Sequence, residues 1–255
     1  MSNEAYVKSS NVNGICTVEF FHPRSNSLPG EILSKLAKTI ENAGNDNDVK
    51  VIVLKSGGEK AFCAGASFDE LIEITEFENG KKFFMGFANV INAMRKAPKF
   101  IITRVQGKVV GGGVGLVSAS DYVFAKEGSH LKLSELALGI GPFVVGPAVE
   151  RKVGKAAFSH MSIDFDWYND QWAKDKGFYV DLFENLDDLD KAVDEFAEKC
   201  ASGSLDAMAD LKKVIWEGTE NWDQLLEQRA GISGRLVLSE FTKNYITEFK
   251  KKNKK

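Results

Sequence analysis

Cysteine is scarce in this chain: three among 255 residues, at Cys16, Cys63 and Cys200. An odd number so widely spaced excludes a disulfide framework and a CxxC metal motif. Histidine is as sparse. His22, His130 and His160 stand far apart, so none has the spacing of a metal ligand set or of a nucleophile–histidine–acid triad. Without a histidine nearby, Cys63 reads as a packing residue and not a nucleophile. No apolar run reaches the ~18 residues that span a bilayer. The segment Met1-Ser2-Asn3-Glu4-Ala5-Tyr6 lacks the basic start and apolar core of a secretory signal, and the expectation is a cytoplasmic protein. Neither sign of charge prevails, with 33 basic and 36 acidic residues and a net charge of −3. That balance gives no polyanion-binding surface, so neither a membrane nor a nucleic acid is an expected partner.

What is present is the composition of an ordinary folded domain, 44% hydrophobic and 27% charged. A chain of this length buries about three quarters of its unfolded surface as one large domain. Strands are expected at residues 15–21, 49–55, 100–105, 122–125 and 131–133. Helices are expected at 29–45, where Ile32, Leu36 and Ile40 recur every four residues, and at 80–95, with Phe84, Phe87, Val90, Ile91 and Met94. From Leu189 onward strand signals vanish, and 189–201, 207–217 and 221–250 read as helices. In the last of these, Phe241, Tyr245 and Phe249 share one face, which needs a covering partner.

Two small-residue turns stand out. Val51-Ile52-Val53-Leu54 is continuously apolar, as a strand buried on both faces would be. It leads through Ser56-Gly57-Gly58 to Ala61-Phe62-Cys63-Ala64-Gly65-Ala66-Ser67-Phe68, a segment small enough for a ligand to lie on its backbone. The second is Val109-Val110-Gly111-Gly112-Gly113-Val114-Gly115-Leu116, a strand that turns into a helix through glycines. A helix start exposes unpaired N–H groups that hold an oxygen carrying negative charge. Glu135 follows twenty residues after Gly115, between apolar neighbours that raise the pKa of a carboxylate.

The order and spacing of these elements resemble the crotonase superfamily, the enoyl-CoA hydratase/isomerase family. The likeness runs from Gly14 to about Phe178 and includes Asn26-Ser27-Leu28, similar to that family's early loop. The resemblance implies an α/β spiral of repeated ββα turns over residues 1–188 and a C-terminal helical region over 189–255. That region would serve oligomerisation, as trimers or dimers of trimers. It implies an acyl-CoA thioester as substrate, no cofactor beyond that coenzyme A, and no metal. The backbone amides of Ala66 and Gly112 would form an oxyanion hole, and Glu135 would be catalytic. Arg24, Ser25, Ser27, Ala64, Ser67, Phe68 and Gly115 would contact substrate, with Arg24 near the coenzyme A phosphates. Lysines at the end of the chain would attract the same phosphates from a neighbouring subunit.

Two departures matter. Ser67 stands where the family's first loop has Asp, a change that spares a backbone donor. Gly115 stands where family hydratases place a first glutamate. With one carboxylate, 3,2-enoyl-CoA isomerisation is open. If Asp69, Glu70 or Glu73 supplies a second, 2-enoyl-CoA hydration is open too. Other thioester chemistry of the superfamily (dehalogenase, hydrolase, decarboxylase) and a non-catalytic acyl-CoA scaffold are the alternatives. The dehalogenase branch needs an aspartate past Glu135, and residues 136–144 hold no acid.

Overall fold

The computed structural model describes residues 4–252, with side chains to residue 248. Met1–Asn3, the lysine-rich end and the side chain of Phe249 therefore lie outside the described parts. The chain begins with a hairpin of β1 (Tyr6–Val12) and β2 (Ile15–Phe21). Its turn is Asn13-Gly14, both with positive φ (53° and 85°), as a two-residue turn of this hand requires. Helix α1 (Gly30–Asn45) follows, with Leu33, Leu36 and Ile40 buried. Then come β3 (Val51–Ser56), β4 (Ala61–Cys63), the single turn α2 (Phe68–Leu71) and α3 (Phe77–Lys96). The pattern repeats as β5 (Phe100–Val105), β6 (Lys108–Val110) and α4 (Gly112–Ala119), then as β7 (Tyr122–Lys126), β8 (Leu131–Lys132) and α5 (Gly146–Asp164).

In each of these three turns the first strand joins one sheet and the second joins another. The large sheet has the order β1-β2-β3-β5-β7-β9, and the small one β4-β6-β8. All pairings are parallel except β1 with β2. This is the spiral of ββα turns that the resemblance implies. Strand β9 (Asp181–Phe183) closes the large sheet after the short α6 (Asp170–Asp175).

The run Val51–Leu54 shows why the sheet needs cover on both sides. Ile52 and Leu54 enter the main core with α1, α3 and α4. Val51 and Val53 point the other way, toward Leu189, Val193 and Ala197 of α7 (Leu186–Ala201). The remaining helices are α8 (Leu205–Ile215), α9 (Trp222–Leu236) and α10 (Glu240–Lys252). Helix α9 lies along α3 with almost no spacer. A Cβ on Gly234 would meet the Lys81 nitrogen at 2.6 Å, and one on Gly80 would meet the Gly234 carbonyl oxygen at 2.9 Å.

Three expectations are corrected. Strand β1 was not expected, because five of its seven residues are exposed and it lacks alternation. Helix α5 was missed as well; it is interrupted by Gly154 with φ 80°. The single helix expected at 221–250 is two. The chain turns at residues 237–239, where Ser239 Oγ accepts the Thr242 N–H at 3.3 Å and starts α10 in a new direction.

One buried charge cluster ties the C-terminal helices to the sheet. Asp121 accepts hydrogen bonds from the Ile101 N–H (2.7 Å) and the Trp216 indole (3.1 Å), and pairs with Lys212 at 2.9 Å. Burial lowers the Lys152 pKa to about 8, opposed by attraction to the same carboxylate. Among the described residues, no helix is long and apolar enough to cross a membrane.

Candidate active site

The first small-residue loop leaves β4 and is fixed by a short bridge. The Leu28 N–H donates to Gly65 O at 2.8 Å, and the Ser67 N–H donates to Leu28 O at 2.9 Å. That alternation leaves the intervening Ala66 N–H facing away from the bridge. Gly65 has φ +88°, and a Cβ there would press on Val110 O at 3.3 Å. The second loop meets it at this place, since the same Cβ would lie 3.7 Å from the Gly112 nitrogen. Gly111 caps α4 with φ 54° and donates its N–H to Lys132 O at 2.9 Å. Gly112 then opens the helix with a free amide. Among the described residues, neither the Ala66 nor the Gly112 nitrogen has an acceptor.

Close approach explains the triple glycine. A Cβ on Gly111 would sit 3.3 Å from Glu135 Oε1. One on Gly112 would sit 2.4 Å from the Phe87 ring, and one on Gly113 would sit 2.8 Å from Cys63 Cβ. Burial pushes the Cys63 thiol up to about 12, in keeping with a packing role.

Glu135 follows β8 and leads a one-turn helix that ends at Gly139, which is left-handed with φ 78°. Its loop is pinned from outside by α10. Thr242, fully buried, donates Oγ1–H to Leu138 O at 2.8 Å, and Phe241 lies on Gly139. The carboxylate points inward. Its Oε2 is cut off from solvent and has no hydrogen-bond partner. Burial raises the Glu135 pKa to about 7, against a smaller pull from the backbone N–H groups of Ser134 and Glu135.

These groups border a cavity of about 190 Å³. Ser27, Ala64, Ala66, Phe68, Gly112 and Glu135 all line it. Ser27 also braces the first loop, donating Oγ–H to Ala66 O at 2.9 Å. Four expected residues stand elsewhere. Ser67 turns its hydroxyl to the Glu70 N–H at the start of α2. Arg24 forms an exposed ion pair with Asp69, and Ser25 is an exposed left-handed turn residue. Gly115 is packed away from the cavity, where a Cβ would lie 2.6 Å from Val145 Cγ1.

None of the three proposed second carboxylates lines the cavity. Asp69, Glu70 and Glu73 border a separate open groove beside α1 and α3. Asp69 is held by Arg24, and Glu70 accepts the Gly30 N–H at 2.9 Å. Among the described residues, Glu135 is thus the sole ionisable side chain lining the cavity. The site also has walls that the sequence reading left as core or overlooked, including Phe83 and Phe84 of α3 and Ser233 of α9. Phe84 stands one helical turn from Phe87 in the expected 80–95 helix, whereas the adjacent Phe83 lies off that pattern. Ser233 carried no signal, since only the α3–α9 crossing brings it near.

Residues 10–254 match the family profile described as enoyl-CoA hydratase/isomerase. The chain is similar to the bacillaene synthase dehydratase of Bacillus subtilis (strain 168), with 29% identity over 178 residues, 69% of this chain and 67% of that protein. It is also similar to the peroxisomal Delta(3,5)-Delta(2,4)-dienoyl-CoA isomerase of Arabidopsis thaliana, with 25% identity over 231 residues, 84% of this chain and 82% of that one. The crystal structure of an enoyl-CoA hydratase from Bacillus halodurans shares the fold, with a TM-score of 0.88 at 20% identity over 95% of this chain and 99% of that one. By the profile match over nearly its whole length, the chain belongs to the enoyl-CoA hydratase/isomerase family of enzymes, within the crotonase superfamily.

Proposed function

We propose that this enzyme moves the double bond of a 3-enoyl-CoA thioester to the 2-position, with Glu135 as the only proton carrier. The observation that carries this reading is the lone carboxylate, unpartnered at Oε2, beside the Gly111–Gly112 turn. The thioester oxygen would accept hydrogen bonds from the Ala66 and Gly112 amides. Glu135 would take a proton from C2, and the electron pair left behind would spread over the thioester oxygen and C4. The two amides stabilise that charge, at ~3–4 kcal/mol of barrier per donor. The protonated Glu135 then returns the proton to C4, and the carboxylate is restored. No water is consumed.

A pKa near 7 suits both halves of this exchange, because the group gives up and regains a proton with little penalty at neutral pH. Hydration would instead need a second group to hold and polarise water. The packing of Val145 against Gly115 removes the place for one, and Asp69 and Glu70 are engaged outside the cavity.

The test is an NMR assay in D₂O with 2-enoyl- and 3-enoyl-CoA offered separately. The reading expects interconversion of the two with little deuterium uptake, since the proton that Glu135 takes from C2 is the one it delivers to C4. It also expects loss of this interconversion in Glu135→Gln with thioester binding retained. Accumulation of a 3-hydroxyacyl product would overturn it in favour of hydration.

A further inference from the structure

The cavity wall is almost all carbon, with Phe83, Phe84 and Phe87 from α3 facing Leu138, Ile140 and Val145. Against this background two lining hydroxyls make no side-chain hydrogen bond among the described residues, that of Ser134 beside Glu135 and that of Ser233 on the opposite element α9. Ser233 of α9 is 1% exposed, lines the cavity, and makes no side-chain hydrogen bond among the described residues. Two helical serines give their hydroxyl to the carbonyl four residues back, Ser118 to Val114 O at 2.7 Å and Ser162 to Phe158 O at 2.7 Å, whereas Ser34 and Ser159 do not. Ser233 leaves that option unused. The glycine crossing at Gly80 and Gly234 holds α9 directly on α3, so the neighbouring Ser233 is fixed at the wall. Ser233 Oγ is not one of the solvent-sealed polar atoms left without a partner (Arg95 Nη2, Gln106 Oε1 and Glu135 Oε2), so it opens on the cavity, where a ligand can reach it.

Charge and size limit what satisfies it. Among the described residues no cation lines the cavity, and Glu135 would repel a second carboxylate there. The volume of about 190 Å³ is somewhat above the ~150 Å³ of an apolar cavity that holds benzene, which leaves room for about six or seven heavy atoms of acyl chain.

We infer that the acyl groups processed here are short and carry an uncharged hydrogen-bonding group, a hydroxyl or keto oxygen, beyond the double bond. Ser233 is the specificity-determining residue that reads it. Serine both donates and accepts, so it serves either oxygen. This rests on the cavity being the acyl-thioester site proposed above.

The experiment compares kcat/KM for 3-enoyl-CoA thioesters of four to eight acyl carbons, each with and without a terminal hydroxyl or keto oxygen, in the parent enzyme and in Ser233→Ala. Affinity for the same pairs is measured by calorimetry on Glu135→Gln and on Glu135→Gln/Ser233→Ala, which separates recognition from turnover. The expected result is a preference of about tenfold for the oxygenated partner at one chain length, in rate and in affinity. Ser233→Ala should bring both ratios to near one. A parent enzyme that turns over plain thioesters with no oxygen preference overturns the inference and leaves the proposed function standing. So does a preference that Ser233→Ala leaves intact. Failure of every thioester to bind removes both readings together.

Discussion

Replacing Glu135 by glutamine should make the protein more stable, and by an amount that depends on pH. The folded state holds the Glu135 proton up to about pH 7, whereas an ordinary glutamate, as in the unfolded chain, releases it near 4.5. Between those two values the folded protein binds the extra proton, so the parent loses stability as pH rises. Below pH 4.5 both states are protonated and the neutral acid resembles the amide. Above pH 7 the full cost of a buried, unpartnered carboxylate is present, about 3 kcal/mol from the shift. Glu135→Gln removes that cost. Urea unfolding of both proteins at pH 5, 6, 7 and 8 measures it. The difference should be small at pH 5 and grow to about 3 kcal/mol at pH 8, or roughly 6–12 °C in Tm for a chain of this size. A difference that stays flat from pH 5 to 8, or a variant less stable at pH 8, would refute the claim that this carboxylate is desolvated. Under the proposed function the same variant should be inactive, so the group's proposed catalytic role and its burden on the fold would have one origin.

Other consequences are open to direct measurement. The kcat/KM of the proposed isomerisation should fall about tenfold per unit as pH drops below about 7, because only the ionised Glu135 removes a proton; a flat acid limb would deny it that task. Gly112→Ala should lower kcat by ~10²-fold or more with the fold retained, since the new Cβ meets the Phe87 ring at 2.4 Å and displaces the amide. Adding Phe87→Ala should recover part of the loss, and calorimetry with circular dichroism checks folding. Asp121→Asn should cost about 3–5 kcal/mol in urea unfolding, since Lys212 is left buried without its counter-charge.

How much of this was legible from the residues differs by element. The both-faced run Val51–Leu54 announced a strand buried between two layers, and α7 supplies the second layer as that pattern demands. The choice of Ala66, Gly112 and Glu135 came from the family resemblance, while the residues themselves announced only two small-residue turns and a carboxylate among apolar neighbours. By contrast, β1 is an edge strand with little apolar content, and its one clear signal is the Asn13-Gly14 turn. The break between α9 and α10 has no local signal, because the apolar pattern continues through it. Contacts set by distant segments were out of reach. Nothing local to Glu70 says that it will satisfy the Gly30 N–H instead of reaching the cavity. Nor does Ser233 show that α9 will bring it against α3. The missing carboxylate at Gly115 was visible, whereas the reason no side chain fits there lies in Val145, thirty residues on.

The backbone-to-backbone crossing of α3 and α9 has an engineering consequence. With no side chain at Gly80 or Gly234 to act as a spacer, the depth of the cavity on that side is set by how near two helical cylinders come. Alanine at Gly234 would act as a shim, lifting α9 and drawing Ser233 and Val237 outward with it. Under the proposed function, acyl chain-length tolerance would then be adjustable from Gly234, which does not itself line the cavity, and relatives that differ at this crossing would be the place to look for enzymes that accept longer acyl groups.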